Sequence, residues 1–340
     1  MSPGAMEAST ANRRWIYAER PEAALGPEHF AFGQGPMPVA QPGQALLGVR
    51  AISVDPAQRA WMKAASYRPR LEPGEVMAAY GLAEVLESRT PELQPGDIVE
   101  GDFGWQDYAV ASPAQVVRRD KARSLEELVG VLNITGLTAY FGLFDIGRPR
   151  PGETVVVSAA AGAVGCIALQ LARLAGCRVV GIAGGAEKCR WVSEHLGADA
   201  VVDYKAAGLQ EALAAACPRG VDVYFDNTGG DILEAALSLM NLRGRVVCCG
   251  AVAQYDQAAA GQGLKGMPGV LIRKRIRMEG FIVFDHYARR SAAEAALCAW
   301  IDAGLLKAPM EIVDGLTNAP QALMDLLKGR HRGKMMVRPS

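Results

Sequence analysis

Apolar and polar positions follow two different rhythms in the two parts of the chain. Up to about residue 130 the apolar residues come in short runs broken by Pro, Gly and Asp. The run 45–54 is opened by Pro42-Gly43 and stopped by Asp55-Pro56, and Ile98-Val99-Glu100 follows the turn Pro95-Gly96-Asp97. Such runs between turn residues predict strands. Helical spacing is scarce here, so this part reads as β-rich. From about residue 131 short apolar strands alternate with amphipathic helices. Strands are expected at 154–157, 178–183, 200–202, 221–226 and 245–249. Helices are expected at 163–175, 187–196, 209–216 and 231–240. In the first of these, Val164, Ile167, Ala168, Leu171 and Leu174 fall on one face, and Gly176 stops it. A last strand, 277–284, is expected to close the sheet, followed by a helix at 292–303 and a tail at 309–339. Uninterrupted apolar strands alternating with helices predict an α/β fold built on a doubly wound parallel sheet.

Composition narrows the function classes. The 340 residues carry 36 Lys and Arg against 36 Asp and Glu, a net charge of zero. That balance argues against a nucleic-acid partner and against a polybasic membrane binder. The uncharged run 155–172 is as long as a membrane span, but it divides into a strand, a small-residue turn and a helix. The N-terminal residues show no apolar core with a cleavage site, and 1–11 reads as a flexible tail. A cytoplasmic protein without membrane segments is therefore expected.

The strand 154–157 runs into Ala160-Ala161-Gly162-Ala163-Val164-Gly165 and then into a helix. This is a G-x-G-x-x-G pattern with Ala160 in the first place. The second glycine lets the backbone approach a pyrophosphate, and the third lets helix and strand pack closely. The amides of Ala163, Val164 and Gly165 then open a helix whose positive dipole end faces the phosphates. The strand–turn–helix setting separates this pattern from a tight structural turn. A dinucleotide site built for NAD places a carboxylate about 20 residues on. That count lands on Ile182-Ala183-Gly184-Gly185, with no acid. Lys188 follows, which suits a 2′-phosphate and so NADP(H); Glu187 reads as a first-turn partner of the helix dipole.

All seven cysteines lie at 166 or later, and the region before 131 holds one histidine, His29. A zinc site of the dehydrogenase type would need Cys, His or acidic ligands in that β-rich region. No metal is expected, and Cys248-Cys249, in an expected core strand, reads as buried free thiol.

Several ordered segments carry a family resemblance: 104–109 (Gly-Trp-Gln-Asp-Tyr-Ala), 135–143, 159–165, Asp203-Tyr204-Lys205, 225–230 and 277–281. From about residue 12 onward the chain resembles the zinc-independent medium-chain dehydrogenases/reductases, and within them the prostaglandin reductase and alkenal double-bond reductase group with the curcumin reductase-like enzymes. The resemblance implies a GroES-like β-rich domain from 12–130 and 300–340 and an NADP-binding Rossmann domain from 131–299 that often dimerises. It implies Lys188 and Tyr204 at the 2′-phosphate, Asn227 near the ribose and nicotinamide, and the backbone of Phe281, Ile282 and Val283 along the nicotinamide. Gly250 and His331 are counted with the cofactor-binding residues. Tyr255 matches the tyrosine beside the substrate oxygen and is the expected catalytic residue. The sequence departs from the family pattern in four places. Gly185 replaces a serine near the 2′-phosphate, Ala57 replaces a pocket tyrosine, and Asn133-Ile134-Thr135-Gly136 stands for Gly-Met-Pro-Gly. At 329–334, Gly-Arg-His-Arg-Gly-Lys stands for Gly-x-Asn-x-Gly-Lys, so His331 takes the asparagine position. The implied reaction is metal-free reduction by NADPH of the C=C bond of an α,β-unsaturated aldehyde or ketone. A quinone oxidoreductase on the same fold and a non-catalytic NADPH-binding protein are the other readings, which substrate panels separate.

Overall fold

The computed structural model describes residues 11–255 and 267–339. The chain forms two compact units, one from 11–123, 312–324 and 336–339, the other from 124–311 and 325–335.

The first unit is the β-rich one. Its main sheet has seven strands, in the order Met310–Asp314, Lys334–Arg338, Ala45–Val54, Tyr80–Ser88, Ile98–Asp102 and Val117–Arg119, with Tyr108–Ala111 added on Ala45–Val54. Neighbours from Ala45–Val54 to Val117–Arg119 run antiparallel. The strand Ala45–Val54 is buried at nine of ten positions, the exception being Arg50, the one charged residue in its run. Ala11, expected in the tail, instead begins a strand, Ala11–Tyr17, that pairs with Phe30–Pro36; the rest of the expected tail lies outside the described residues. This ribbon is pinned by Asn12, whose side-chain amide donates to the Tyr108 carbonyl at 2.9 Å and accepts from its amide at 3.0 Å.

The second unit holds six parallel strands: β1 (Thr154–Val157), β2 (Arg178–Ala183), β3 (Ala200–Asp203), β4 (Val221–Asp226), β5 (Met240–Cys248) and β6 (Arg277–Gly280). Their order is β3-β2-β1-β4-β5-β6, and every pair is parallel. The helices α1 (Ala163–Leu174), α2 (Ala186–Leu196), α3 (Leu209–Ala216) and α4 (Gly230–Leu239) connect them. Strand order reverses between β1 and β4, and in such sheets the binding crevice opens there, beyond the carboxyl ends of the strands. The uncharged run 155–172 is β1, a turn and most of α1. No helix among the described residues is long and apolar enough to cross a membrane.

The last strand is shorter than its apolar run suggests. β6 stops at Gly280, and a 3₁₀ helix, Val283–Arg289, follows. Its neighbour β5 ends at Cys248, the residue opposite Gly280, so Phe281 and Ile282 have no strand left to pair with. The C-terminal region is also not a single block of the β-rich unit. Residues 300–311 and 325–335 pack with the parallel sheet, as does Leu125–Gly130. Gln170 on α1 exchanges hydrogen bonds with Lys307, accepting from its amide at 2.9 Å and donating to its carbonyl at 3.2 Å. Gly130 lies so close to Ala308 that a Cβ on it would stand 3.2 Å from the Ala308 methyl. The two units meet in the chain at 123/124 rather than at the expected 130/131, and the expected C-terminal segment 300–340 is shared between them.

Candidate dinucleotide site and the cleft beside it

Every site residue expected on the six strands lies just past a strand's carboxyl end: Gly162 to Gly165 after β1, Lys188 after β2, Tyr204 after β3, Asn227 after β4, Gly250 and Tyr255 after β5, Phe281 to Val283 after β6. The parallel sheet therefore gathers them at one edge, in two groups.

The first group surrounds the turn after β1. Gly162 caps α1 with no side-chain hydrogen bond, so the first-turn amides of α1 point outward without a capping acceptor. Gly165 cannot carry a side chain, because a Cβ there would stand 2.2 Å from the Ala159 carbonyl oxygen. The turn is held from both sides. The Ala160 amide donates to the Ile182 carbonyl at 2.9 Å, and the Gly333 amide donates to the Ala161 carbonyl at 2.8 Å. Gly162 and Gly333 form a parallel bridge. That bridge carries His331 to the turn, with its Nε2 3.9 Å from where a Gly162 Cβ would stand. The buried Nδ1 of His331 has no hydrogen-bond partner. Burial, then Lys188 and Lys334, push its pKa down to about 4, so the ring is neutral at pH 7.

The end of β2 continues this group. Gly185, with φ at +92°, caps α2 in a backbone conformation that a serine side chain would strain. The carboxylate at the end of β3 is already engaged: Asp203 Oδ1 accepts from the Gly185 amide at 2.8 Å and the Lys205 amide at 2.9 Å. Tyr204 covers Gly184, where a Cβ would meet its ring at 2.7 Å. The Lys188 ammonium is pushed below its ordinary pKa, first by burial and then by Lys205 and Arg332, with Glu311 and Glu187 acting in the opposite sense. Glu187 lies in the first turn of α2, as expected for a dipole partner, and also pairs with Arg332 at 3.3 Å. Lys205 and Arg332 escaped the sequence reading. Their signal was adjacency, since each follows a singled-out residue, Tyr204 and His331.

The second group lines an open cleft of about 510 Å³, with Cys249, Gly250, Ala251 and Tyr255 on one side and Phe281 and Ile282 on the other. Asp226 holds one wall from behind: its carbonyl accepts from the Cys249 and Gly250 amides at 2.8 and 3.1 Å. Its Oδ1 accepts from the Tyr224 hydroxyl at 2.9 Å and from the Thr228 and Gly229 amides at 3.0 and 2.9 Å. Asn227 ties β4 to β1: its amide donates to the Ser158 hydroxyl at 2.8 Å, and its side-chain amide to the Ser158 carbonyl at 2.7 Å. Gly250 approaches so closely that a Cβ would stand 3.0 Å from the Asn227 carbonyl oxygen. The Tyr255 hydroxyl accepts from the Ala251 amide at 3.4 Å, and burial raises its pKa, so the phenol keeps its proton at neutral pH. Val283 is buried, whereas Ile282 is exposed. Cys248 and Cys249, expected as buried thiols of a core strand, are instead partly buried on the cleft wall, Cys249 lying past the end of β5; desolvation still pushes the two thiols up to about 11 and 12.

A dinucleotide phosphate fits the first group. It offers uncapped helix amides, a buried imidazole nitrogen without a partner and a partly desolvated Lys188 with Lys205 and Arg332 near it, and among the described residues the Asp203 carboxylate is engaged by backbone amides. Among the described residues, no group of three or more His, Cys, Asp and Glu is placed to hold a metal ion.

The comparisons agree with this architecture. A family model described as the N-terminal domain of oxidoreductase matches residues 13–118, and one described as zinc-binding dehydrogenase matches 163–299. The chain belongs to the medium-chain dehydrogenase/reductase family, in the zinc-independent group of curcumin, alkenal and prostaglandin reductases, with a Rossmann and a GroES-like domain. It is 41% identical to the NADPH-dependent curcumin reductase of Escherichia coli over 96% of both chains. It is 40% identical to the NADP-dependent 2-alkenal reductase of Nicotiana tabacum over 84% of both. The crystal structure of CurA from Vibrio vulnificus in complex with NADPH is similar with a TM-score of 0.92 and 38% identity, covering 96% of this chain and 99% of that one.

Proposed function

We propose that this chain is an NADPH-dependent reductase of the C=C bond of α,β-unsaturated aldehydes and ketones. The observation that carries the reading is the pairing of a phosphate-binding α1 terminus with a protonated Tyr255 on the neighbouring cleft, in a chain 41% identical to a curcumin reductase over nearly its whole length. The pyrophosphate lies at Gly162 to Gly165, and Lys188, Tyr204, Lys205 and Arg332 take the 2′-phosphate. Asn227, Gly250 and the stretch from Phe281 to Val283 line the nicotinamide end. When bound, the nicotinamide supplies a hydride for the β-carbon of the substrate.

The protein's own part is to meet the charge that grows on the carbonyl oxygen. Tyr255 holds its phenolic proton because burial disfavours the phenolate. It donates to that oxygen as the enolate forms, a hydrogen bond stronger in the transition state than in the ground state. Tyr255, or a water it orients, then protonates the α-carbon. The Ala251 amide, which already donates to the Tyr255 oxygen, fixes the phenol in place.

The test is turnover of a 2-alkenal, an enone and a quinone with NADPH and with NADH, for the wild type and for Tyr255→Phe. The expected result is NADPH oxidation with the alkenal and the enone, falling about 100-fold in kcat for the variant, the usual scale of one lost oxyanion donor. A quinone-only profile points to the other oxidoreductase chemistry, and tight NADPH binding with no turnover to the non-catalytic reading. A cytoplasmic location and a homodimer belong to the same proposal. Among the described residues β6 is an edge strand, and such an edge is open to pairing with a second copy; a sedimentation mass of twice 36.1 kDa is expected.

A further inference from the structure

The segment 329–334 brings to the α1 terminus an imidazole in place of the family's neutral amide. Three observations converge on His331. Its Nε2 lies 3.9 Å from the Cβ position of Gly162, beside the uncapped first turn of α1. Its Nδ1 is buried and has no hydrogen-bond partner. The charges acting on it are cations from two elements, Lys188 on α2 and Lys334 on its own segment. The carboxylates of the region, Glu187 and Glu311, pair with Arg332 beside it.

We propose that His331 is a proton-linked phosphate ligand: dinucleotide binding places an anionic oxygen on its ring, and the imidazole takes up one proton from solvent to donate to that oxygen. The inference rests on the dinucleotide reading above. In the ligand-free protein burial and the two lysines hold the ring neutral, with a pKa of about 4. A phosphate reverses both influences. It supplies an acceptor for the charged ring and offsets the field of Lys188 and Lys334, so the pKa of His331 rises on binding. An asparagine at this position donates a hydrogen bond without any change of charge. The histidine makes affinity depend on pH where the asparagine does not. With one proton coupled, affinity rises up to about tenfold for each unit fall in pH between the free and bound pKa values.

The experiment is isothermal titration of the full-length protein with NADP⁺ and with NAD⁺ from pH 5 to 7.5, in buffers of different ionisation enthalpy, for the wild type and His331→Asn. The slope of observed enthalpy against buffer enthalpy counts protons taken up. NAD⁺ serves as the arm free of the 2′-phosphate, which itself titrates near pH 6. The expected result is uptake approaching one proton with either dinucleotide in the wild type, and a clear loss of that uptake in His331→Asn while binding persists. Equal uptake in both proteins, or none in the wild type, overturns the inference and leaves the dinucleotide reading standing. No binding of either dinucleotide by the wild type overturns both. A His331→Gln variant guards against a folding failure, since it too donates without titrating and is expected to match His331→Asn.

Discussion

Lys188, His331 and Tyr255 each titrate away from their ordinary values. Burial pushes the lysine down, the histidine down to about 4 and the tyrosine up. Perturbed groups gathered in a crevice mark functional positions. For Lys188→Ala the expected outcome is a rise of about 10- to 100-fold in the KM for NADPH, the scale of one charge-assisted hydrogen bond. The KM for NADH is expected to change little, and steady-state kinetics with both cofactors checks it. The histidine also affects stability. The unfolded chain protonates it at its ordinary value of 6.5, and the folded chain only at about 4. Falling pH through that window therefore favours unfolding, by up to about 1.4 kcal/mol per unit. Urea titrations of the cofactor-free protein at pH 7 and pH 5 are expected to show a larger acid loss for the wild type than for His331→Asn. The sequence named all three residues, Lys188 and Tyr255 with a role and His331 only as a cofactor-binding position. The unpartnered nitrogen and the facing lysines come from chain segments far apart in sequence, which no local pattern records.

At the scale of elements, the turn after β1 and the end of β4 hold the site's shape. Gly165→Ala forces a methyl to within 2.2 Å of the Ala159 carbonyl. A loss of about 1–3 kcal/mol is expected from such overpacking, together with weaker dinucleotide binding; thermal melts with and without NADP⁺ separate the two. Asp226→Ala leaves the Tyr224 hydroxyl and the amides of Thr228 and Gly229 without their acceptor. Stability is expected to fall by about 3 kcal/mol or more, since each orphaned buried donor costs about 1–3 kcal/mol. β1, β2 and β4 were legible to the residue, because buried parallel strands are continuous apolar runs bounded by Gly, Pro or Asp. The run 277–284 misled because its apolar residues after Gly280 serve the cleft and the following 3₁₀ turn, and hydropathy alone does not show where a pairing neighbour ends. The helix Ile134–Phe141 also went unmarked. It is capped by Asn133, whose Oδ1 accepts from the Thr135 amide at 3.0 Å, and its mostly buried faces give no amphipathic rhythm.

For the whole molecule, the change of texture near residue 130 was readable, while the exact division was not. The C-terminal stretch crosses between the units three times, and its membership is decided by contacts such as Gly333 to Ala161 that join residues 172 positions apart. The distribution of cysteines was readable too. All seven free thiols are housed in the nucleotide-binding unit, and the β-rich unit contains none. The proposed reduction, with Tyr255 as the donor to the substrate oxygen, calls on no thiol ligand from that unit. The measurement that tests it most directly is identification by mass spectrometry of the product formed from a 2-alkenal, NADPH and the purified full-length chain. The saturated aldehyde is expected, two hydrogens heavier and with its carbonyl intact; recovery of the allylic alcohol, or of unchanged alkenal alone, rules out C=C reduction by this chain.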